Sequence, residues 1–217
     1  AEGNWRRSWS DITYGTTLDE QAHTILEATY APNHGTGYGF TLYGRKDIDW
    51  HTMQLDLKAS ATTDRSQILR QSVLMEYKRQ GYALSGTLAF DIVTGYRLDY
   101  SVRWQRSRST STVYATTLRD LSQCGCLTMR LVPSRLFFNV NASHSYNSSL
   151  PSSRKNFVFL GAGLQWKVSK KLEFNLDGDN LTNIRTFIVR NIGNLEEHYE
   201  EYHLRPLSVT LTMHLNI

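Results

Sequence analysis

The C-terminal stretch, residues 206–217, alternates strictly between apolar and polar side chains. The apolar positions are Leu207, Val209, Leu211, Met213, Leu215 and Ile217, and every residue between them is polar. Because successive side chains of a β-strand point to opposite faces, this period of two predicts a strand with one apolar and one polar face. A stretch of about 10 residues is long for a soluble strand and is the length that a membrane-spanning strand needs.

The same alternation recurs upstream and predicts about ten strands in all. A weak strand is predicted over residues 24–30, whereas residues 1–20 keep no period and remain poorly defined. The stronger predicted strands are 38–43, 53–58, 84–92, 98–105, 127–131, 136–143, 158–168 and 172–177. Polar segments, interpreted as loops, separate them at 32–37, 61–81 (with extended hairpin arms as an option), 107–120 and 147–153, and a further loop precedes the last strand.

From Tyr43 onwards the predicted connections alternate between short and long. Short turns are expected near residues 44–47, 93–95, 132–135 and 169–171, and long loops between them. An up-and-down membrane barrel sorts its connections in this way, since tight turns lie at one end and long loops at the other. We therefore predict an all-β fold, an antiparallel up-and-down transmembrane β-barrel segment over residues 1–217, with its alternating strands in 21–217, short periplasmic turns and long extracellular loops. A soluble β-sandwich or a lipocalin-like barrel is the alternative, although a sandwich has no reason to sort its loops by parity.

The polar faces of these strands carry too many charges for a dry core, because a buried charge must be paired. We expect them to face a wet lumen or a plug; the candidates are Asp99, Arg103, Arg130, Glu173 and Asp177. The apolar faces are expected to contact lipid. The candidates there are Val158, Leu160, Leu164, Trp166, Leu207, Val209, Leu211, Met213, Leu215 and Ile217.

Composition narrows the function classes. A mean hydropathy of −0.43 is expected for a barrel whose strands are half polar, and no run approaches the length of a membrane helix. The net charge of +4 comes from scattered residues and not from a basic patch, which argues against a nucleic-acid partner. The chain begins without a basic region and an apolar core, so any secretion signal is expected to have been removed or to lie elsewhere.

Chemistry-bearing motifs are few. Cys124 and Cys126 are best interpreted as two thiols that line the barrel wall, since a single Cys-x-Cys lacks a second ligand pair for zinc. No nucleophile elbow, phosphate loop or histidine pair is present, so we predict no enzyme activity, no cofactor and no metal site. The segment 196–203 is rich in carboxylates, histidines and tyrosines; it is interpreted as a solvated extracellular loop, with ligand-contact candidates Glu197, His198, Tyr199, Glu200 and Tyr202.

Two segments near the C-terminus resemble a known family. Leu172–Asn183, ending in Asn-Leu-Thr-Asn, and Tyr202–Val209, containing Leu-Arg-Pro, are similar to the C-terminal end of TonB-dependent outer-membrane receptors, closest to the SusC-like type of Bacteroidota. Thr182 stands where that family usually has an aromatic residue, and Ile217 where a Phe is common.

The resemblance implies a 22-stranded barrel in a Gram-negative outer membrane, closed by an N-terminal plug. That barrel would import nutrients of the glycan, peptide or metal-chelate class with energy from the inner membrane. The implied partners are outer-membrane lipid, the plug domain and remaining strands on the same or a separate chain, a TonB-type energy transducer and a surface lipoprotein lid. This chain would then form the C-terminal half of the barrel wall. The alternative is a small self-contained outer-membrane barrel with a structural or adhesive role.

Overall fold

The computed structural model describes residues 1–18, 24–48, 52–192 and 197–215, and most of these residues lie in β-strands. One short 3-10 helix, Ser152–Arg154, follows the seventh strand. The strands described are β1 Glu2–Leu18, β2 Thr24–Ile48, β3 Met53–Arg70, β4 Val73–Val93, β5 Tyr96–Ser111, β6 Ala115–Val132, β7 Leu136–Asn147, β8 Asn156–Lys167, β9 Leu172–Asp179, β10 Thr186–Ile192, β11 Glu197–His203 and β12 Ser208–Leu215.

Ten of these strands form one antiparallel sheet. The order is β1 to β9 followed by β12, so each strand pairs with its neighbour in the chain except where the β10–β11 hairpin intervenes. The predicted all-β, antiparallel up-and-down fold and its strand number of about ten are thus confirmed. In the part of the chain that the structure describes, β1 and β12 do not pair with each other, so the sheet has two edges.

The strands are longer than the sequence pattern predicts. Residues 1–20, which show no period, contain β1, and β1 pairs along its length with β2. The predicted loop at 32–37 is wrong, because β2 continues through it. Most of 61–81 and 107–120 is also strand and not loop. The strands β3 and β4 pair without interruption from Met53↔Phe90 to Arg70↔Val73, as the hairpin-arm option allowed. The strands β5 and β6 pair as far as Thr110↔Ala115.

The predicted long loops at 61–81 and 107–120 are wrong, because both segments are hairpin arms that close with two residues between β3 and β4 and three between β5 and β6, no longer than the turns at the opposite end. At one end β4 and β5, β6 and β7, and β8 and β9 are joined by turns of a few residues. At the other end β3 and β4 extend to a two-residue turn at Gln71 and Ser72, both with positive φ. The carboxylate of Glu27 accepts hydrogen bonds from the backbone N–H of Ser72 at 3.0 Å and from its hydroxyl at 3.0 Å. The end with the β4–β5, β6–β7 and β8–β9 turns is here called the short-turn end, and the end with the β3–β4 turn is called the long-hairpin end.

An apolar cluster of buried residues lies where β10 packs near the start of β8. Ile188 is 3% exposed, Leu150 is 3% exposed and Phe157 is 8% exposed, and Phe159 and Phe187 pack against them. The Phe187 ring is edge-on to Phe157, with centroids 4.9 Å apart. The region predicted as one final loop therefore contains a hairpin that is fixed to the sheet by a small core.

Candidate functional surfaces

The register of the ladders sorts the side chains of the sheet onto two faces. Residues directly opposite each other on neighbouring strands share a face, and this face is kept from strand to strand. On one face, here called the apolar face, Met213 pairs with Phe174, Phe174 with Trp166, and Trp166 with Leu136. The opposite face is called the polar face.

The apolar face carries a continuous belt of large side chains across the sheet. On β5, for example, the positions from Tyr96 to Trp104 on this face are all Tyr, Leu, Val or Trp. A strand rises about 3.4 Å per residue, so this belt is about 27 Å long along the strand. Its members are strongly exposed: Leu211 is 67% and Val209 is 62% exposed. Such a wide exposed apolar surface points to a partner or a membrane.

The predicted lipid-facing residues lie on this face wherever the structure describes them in a strand. Val158, Leu160, Leu164 and Trp166 alternate along β8, and Val209, Leu211, Met213 and Leu215 alternate along β12. Leu207 immediately precedes β12 and is 46% exposed. Ile217 lies outside the described residues. Their contact with lipid stays a prediction.

At the long-hairpin end the belt finishes in a row of aromatic residues. Trp5 pairs with Tyr38, and Tyr82 and Trp104 follow on β4 and β5. Leu121, the partner of Trp104 on β6, pairs with Tyr146 on β7. Beyond this row the same face turns polar, and Arg106, the partner of Tyr82, is the first residue outside it on β5.

All five candidate lumen residues lie together on the polar face. Asp99 pairs with Cys126, Arg103 with Ser122, Arg130 with Phe137, Glu173 with Lys167 and Asp177 with Gly163. Asp99 accepts hydrogen bonds from Arg97, with Nε 2.9 Å from Oδ2. Glu173 accepts one from Gln165 at 2.7 Å and lies 3.9 Å from the Lys167 ammonium. The arrangement is therefore a network of solvated charges and not an apolar core.

A groove on the polar face lies towards the long-hairpin end and was not predicted from the sequence. It encloses about 590 Å³, and its charged lining residues include Asp64, Arg79 and Asp120. Asp64 and Arg79 are opposite each other on β3 and β4. The segments that carry these residues are polar on both faces, so the alternation that would have revealed them is absent. A charged groove of this size can hold a polar ligand.

Three of the ligand-loop candidates share one side of β11. The Nε2 atom of His198 lies 2.7 Å from Glu200 Oε1, and the hydroxyl of Tyr202 donates a short hydrogen bond to the other carboxylate oxygen. Tyr199, on the other side of β11, donates to Glu201 at 3.0 Å. The backbone of Glu197 pairs with Ile192. The predicted loop is a strand here, and it presents an imidazole, a carboxylate and a phenol in a row.

Hydrogen bonding changes the acidity of these groups. The hydrogen bond from Tyr202 and then that from His198 lower the pKa of Glu200, because both stabilise the ionised carboxylate. The same contact with Glu200 raises the pKa of Tyr202, and Glu201 raises the pKa of Tyr199 in the same way. At neutral pH the row therefore presents an anionic carboxylate between two hydrogen-bonding rings.

The two segments that resemble the receptor family meet in space. The side-chain amide of Asn180 donates to the carbonyl of Arg205 at 2.9 Å and to that of Ile184 at 2.7 Å, and its oxygen accepts from the Ile184 N–H at 3.0 Å. The N–H of Leu207 donates to the side chain of Asn183 at 3.3 Å. These bonds fix the start of β12 beside the end of β9.

Within the described ranges, no group of three or more His, Cys, Asp or Glu residues is arranged to hold a metal ion. Cys124 and Cys126 are free thiols on the polar face. Among the same residues, no helix is long and apolar enough to cross a membrane. The chain matches no protein-family model, and no curated protein matches it significantly.

Proposed function

We propose that the chain forms part of the wall of an outer-membrane β-barrel, and that this barrel is a TonB-dependent receptor that imports nutrients. The observation that carries the first part is the belt on the apolar face. A belt about 27 Å long along strands that tilt by about 40° spans about 21 Å, close to the roughly 25 Å apolar band of an outer-membrane barrel.

The opposite face supports a wet interior. The charges of the polar face are solvated and hydrogen-bonded to one another, which suits a water-filled or plugged lumen and does not suit a sandwich core. The aromatic row at the upper limit of the belt corresponds in kind to the interfacial girdle of such barrels. The short-turn end would face the periplasm and the long-hairpin end the cell exterior.

The assignment to a receptor wall depends on two further features. One is the family resemblance of the segments joined by Asn180 and Asn183. The other is the pair of sheet edges on β1 and β12. Beyond its ladder with β2, β1 pairs only at Gly15 and Thr16, with Leu69 and Arg70 of β3, so among the described residues most of both edges has no strand partner, which is costly for backbone N–H and C=O groups in lipid. Additional strands, from the same or a separate chain, would satisfy both edges.

The ligand would enter from the long-hairpin end. There the β10–β11 hairpin carries His198, Glu200 and Tyr202, and the groove beside Asp64 and Arg79 lies on the polar face below the hairpin tips. A ligand rich in hydroxyl or amide groups fits these donors and acceptors. The plug and the energy transducer would act through other parts of the receptor.

The test is to isolate the native protein from outer membranes in mild detergent, with an affinity tag inserted at the β5–β6 tip near Val113, which is 66% exposed. Native mass and peptide identification are then measured on the captured particle. A particle several-fold heavier than 24.9 kDa that contains plug peptides is expected.

A particle near 24.9 kDa that migrates faster unboiled than boiled would identify a small self-contained barrel. In that case the transport proposal would fall, while the membrane assignment would stand. Absence of the chain from the membrane fraction would contradict both the transport proposal and the membrane assignment.

A further inference from the structure

The two faces of the sheet differ in how their charges are paired across strands. On the polar face, directly opposite charges have opposite signs. The pairs are Arg45↔Asp56, Asp64↔Arg79, Asp91↔Arg97 and Lys167↔Glu173. Opposite signs across a rung stabilise a sheet, and like charges destabilise it.

The apolar face breaks this rule just beyond the aromatic row. Arg106 lies directly opposite Arg119, and Arg65 lies directly opposite Lys78. Arg108 is on the same face, one step further along β5. Here these five residues are called the basic cluster. Within the described part of the chain, no carboxylate oxygen lies within 4.0 Å of their charged groups, although Glu76 is on the same face beside Lys78. Among the described residues no ion pair offsets these like charges, and a bound anion would relieve their repulsion.

An apolar groove runs into the cluster from the belt. It encloses about 410 Å³ and its lining includes Phe40, Leu42, Leu84 and Trp104, together with Arg106. A second groove of about 680 Å³, polar and lined in part by Arg65 and Lys78, lies further out. Seen along the strands, a long apolar slot is thus followed by guanidinium and ammonium groups.

We propose that this surface binds a phosphate-bearing lipid of the surrounding leaflet, with its acyl chain in the apolar groove and its phosphate on Arg106 and Arg119. The inference depends on the proposed membrane location. Two guanidinium groups opposite each other suit a phosphate, because each can donate two parallel hydrogen bonds to its oxygens. An apolar chain beside the phosphate distinguishes a lipid from free phosphate.

The belt below the cluster explains why these charges remain outward. In a lipid environment the aromatic row would lie at the interface and the cluster at head-group height. A basic residue near an anionic membrane surface contributes about 1 kcal/mol, which corresponds to a roughly fivefold change in binding. Removal of two arginines should therefore weaken binding of the lipid by about 25-fold.

The test uses the full chain purified from native membranes, with phosphatidic acid in detergent micelles as the probe and native mass spectrometry as the readout. The variant Arg106→Gln/Arg119→Gln is expected to bind phosphatidic acid about 25-fold more weakly. The control Lys170→Gln/Lys171→Gln removes two positive charges from the exposed β8–β9 turn at the opposite end of the sheet and should bind like the parent. Arg106→Lys/Arg119→Lys keeps the charge but loses the paired donors, so its binding should lie between that of the parent and that of the double Gln variant.

A second readout separates binding from folding. In phosphatidylcholine alone, Arg106→Gln/Arg119→Gln should have a thermal unfolding midpoint equal to or above that of the parent, because a like-charge pair has been removed. Phosphatidic acid should raise the midpoint of the parent but not that of this variant.

The inference is overturned if phosphatidylcholine binds as tightly as phosphatidic acid, or if the two double Gln variants lose binding equally. Equal protection by inorganic phosphate would assign the cluster to a free anion and would also overturn it. A nitroxide at position 211 reports the membrane location independently. If that label is in lipid and phosphatidic acid still does not bind, this inference fails and the proposed function stands.

Discussion

Phe187 of β10 lies edge-on to Phe157 of β8, with ring centroids 4.9 Å apart. This contact joins the β10–β11 hairpin, which lies between β9 and β12 in the chain, to the long-hairpin end of the sheet. Around it, the side chain of Asn147 donates to the carbonyl of Arg190 at 3.1 Å, and the guanidinium of Arg190 donates to the carbonyl of Ser149 at 2.6 Å. The hairpin that carries the ligand candidates is therefore held in a defined position.

Truncation of this small core should release the hairpin without unfolding the sheet. Ile188→Ala removes the most buried side chain of β10, and loss of an Ile in a core costs about 2–4 kcal/mol. We expect amide exchange in peptides covering 186–190 and 198–203 to accelerate by roughly 30- to 900-fold, while β5 and β6 exchange as before. The control is Val113→Ala, at an exposed hairpin tip, which should change exchange in neither region. Faster exchange throughout the sheet in Ile188→Ala would show that the β10–β11 hairpin is not an independent unit.

The short-turn end has one position that requires glycine. Gly95 has a φ of +91°, and a Cβ there would lie 3.0 Å from that of Arg130, whose N–H donates to the Gly95 carbonyl at 2.7 Å. Gly95→Ala should lower stability by about 1–3 kcal/mol because of backbone strain. The matched control is Gly44→Ala, because a Cβ added at Gly44 has no atom within 4 Å. We expect this substitution to be neutral or slightly stabilising.

Urea unfolding in phospholipid vesicles measures both glycine variants. Equal midpoints for Gly95→Ala and Gly44→Ala would contradict the predicted strain at the β4–β5 turn.

The junction between the two family-like segments depends on one amide. Asn180 has a φ of +51° and makes three hydrogen bonds to the backbone. Asn180→Ala should destabilise the junction by about 1–3 kcal/mol, since the backbone groups of Ile184 and Arg205 lose their hydrogen bonds. Asn180→Asp keeps the bond accepted from Ile184 but cannot donate to Arg205, so its thermal midpoint should be intermediate. An Asp variant as unstable as Ala would mean that only the donated bonds matter.

The pH dependence of the β11 row follows from the lowered pKa of Glu200. A carboxylate whose pKa is lower in the folded state contributes stability that is complete above its unfolded pKa and is lost as the pH falls through the folded pKa. With 3-fluorotyrosine at position 202, the ¹⁹F resonance should therefore be constant from pH 7 to about 5 and shift below that. In Glu200→Gln the shift should be absent. An unchanged titration in Glu200→Gln would assign it to another group.

The faces of the sheet were predictable because the belt imposes a period of two. Every lumen candidate lies on the polar face, and every lipid candidate described in a strand lies on the apolar face. The alternation is clear wherever one face must be apolar. The turns at 94–95 and 133–135 were predictable for the same reason, since the apolar pattern stops and restarts there.

The distal parts of the hairpins were not predictable by this reasoning. Just beyond the aromatic row, charged and hydroxyl residues lie on both faces of β3 to β6. Near the β3–β4 tip the apolar residues, such as Leu69 and Tyr77, do not alternate regularly, so the sequence has no period there although the ladder continues. Residues such as Asp64, Arg79 and Asp120 were missed for that reason. In β10, Phe187 and Ile188 both pack in one cluster although they are adjacent, which conceals the strand pattern. In β1, the basic Arg7 shares a face with Trp5 and Trp9 and breaks the apolar period.

The most direct test of the central claim is a nitroxide scan of β12 in native lipid. Cys124→Ser/Cys126→Ser provides the background, and single cysteines are introduced at positions 209 to 215. We predict high oxygen accessibility at 209, 211, 213 and 215, and high accessibility to a water-soluble nickel chelate at 210, 212 and 214. Uniform access of the nickel chelate to all seven positions would contradict a membrane-facing wall.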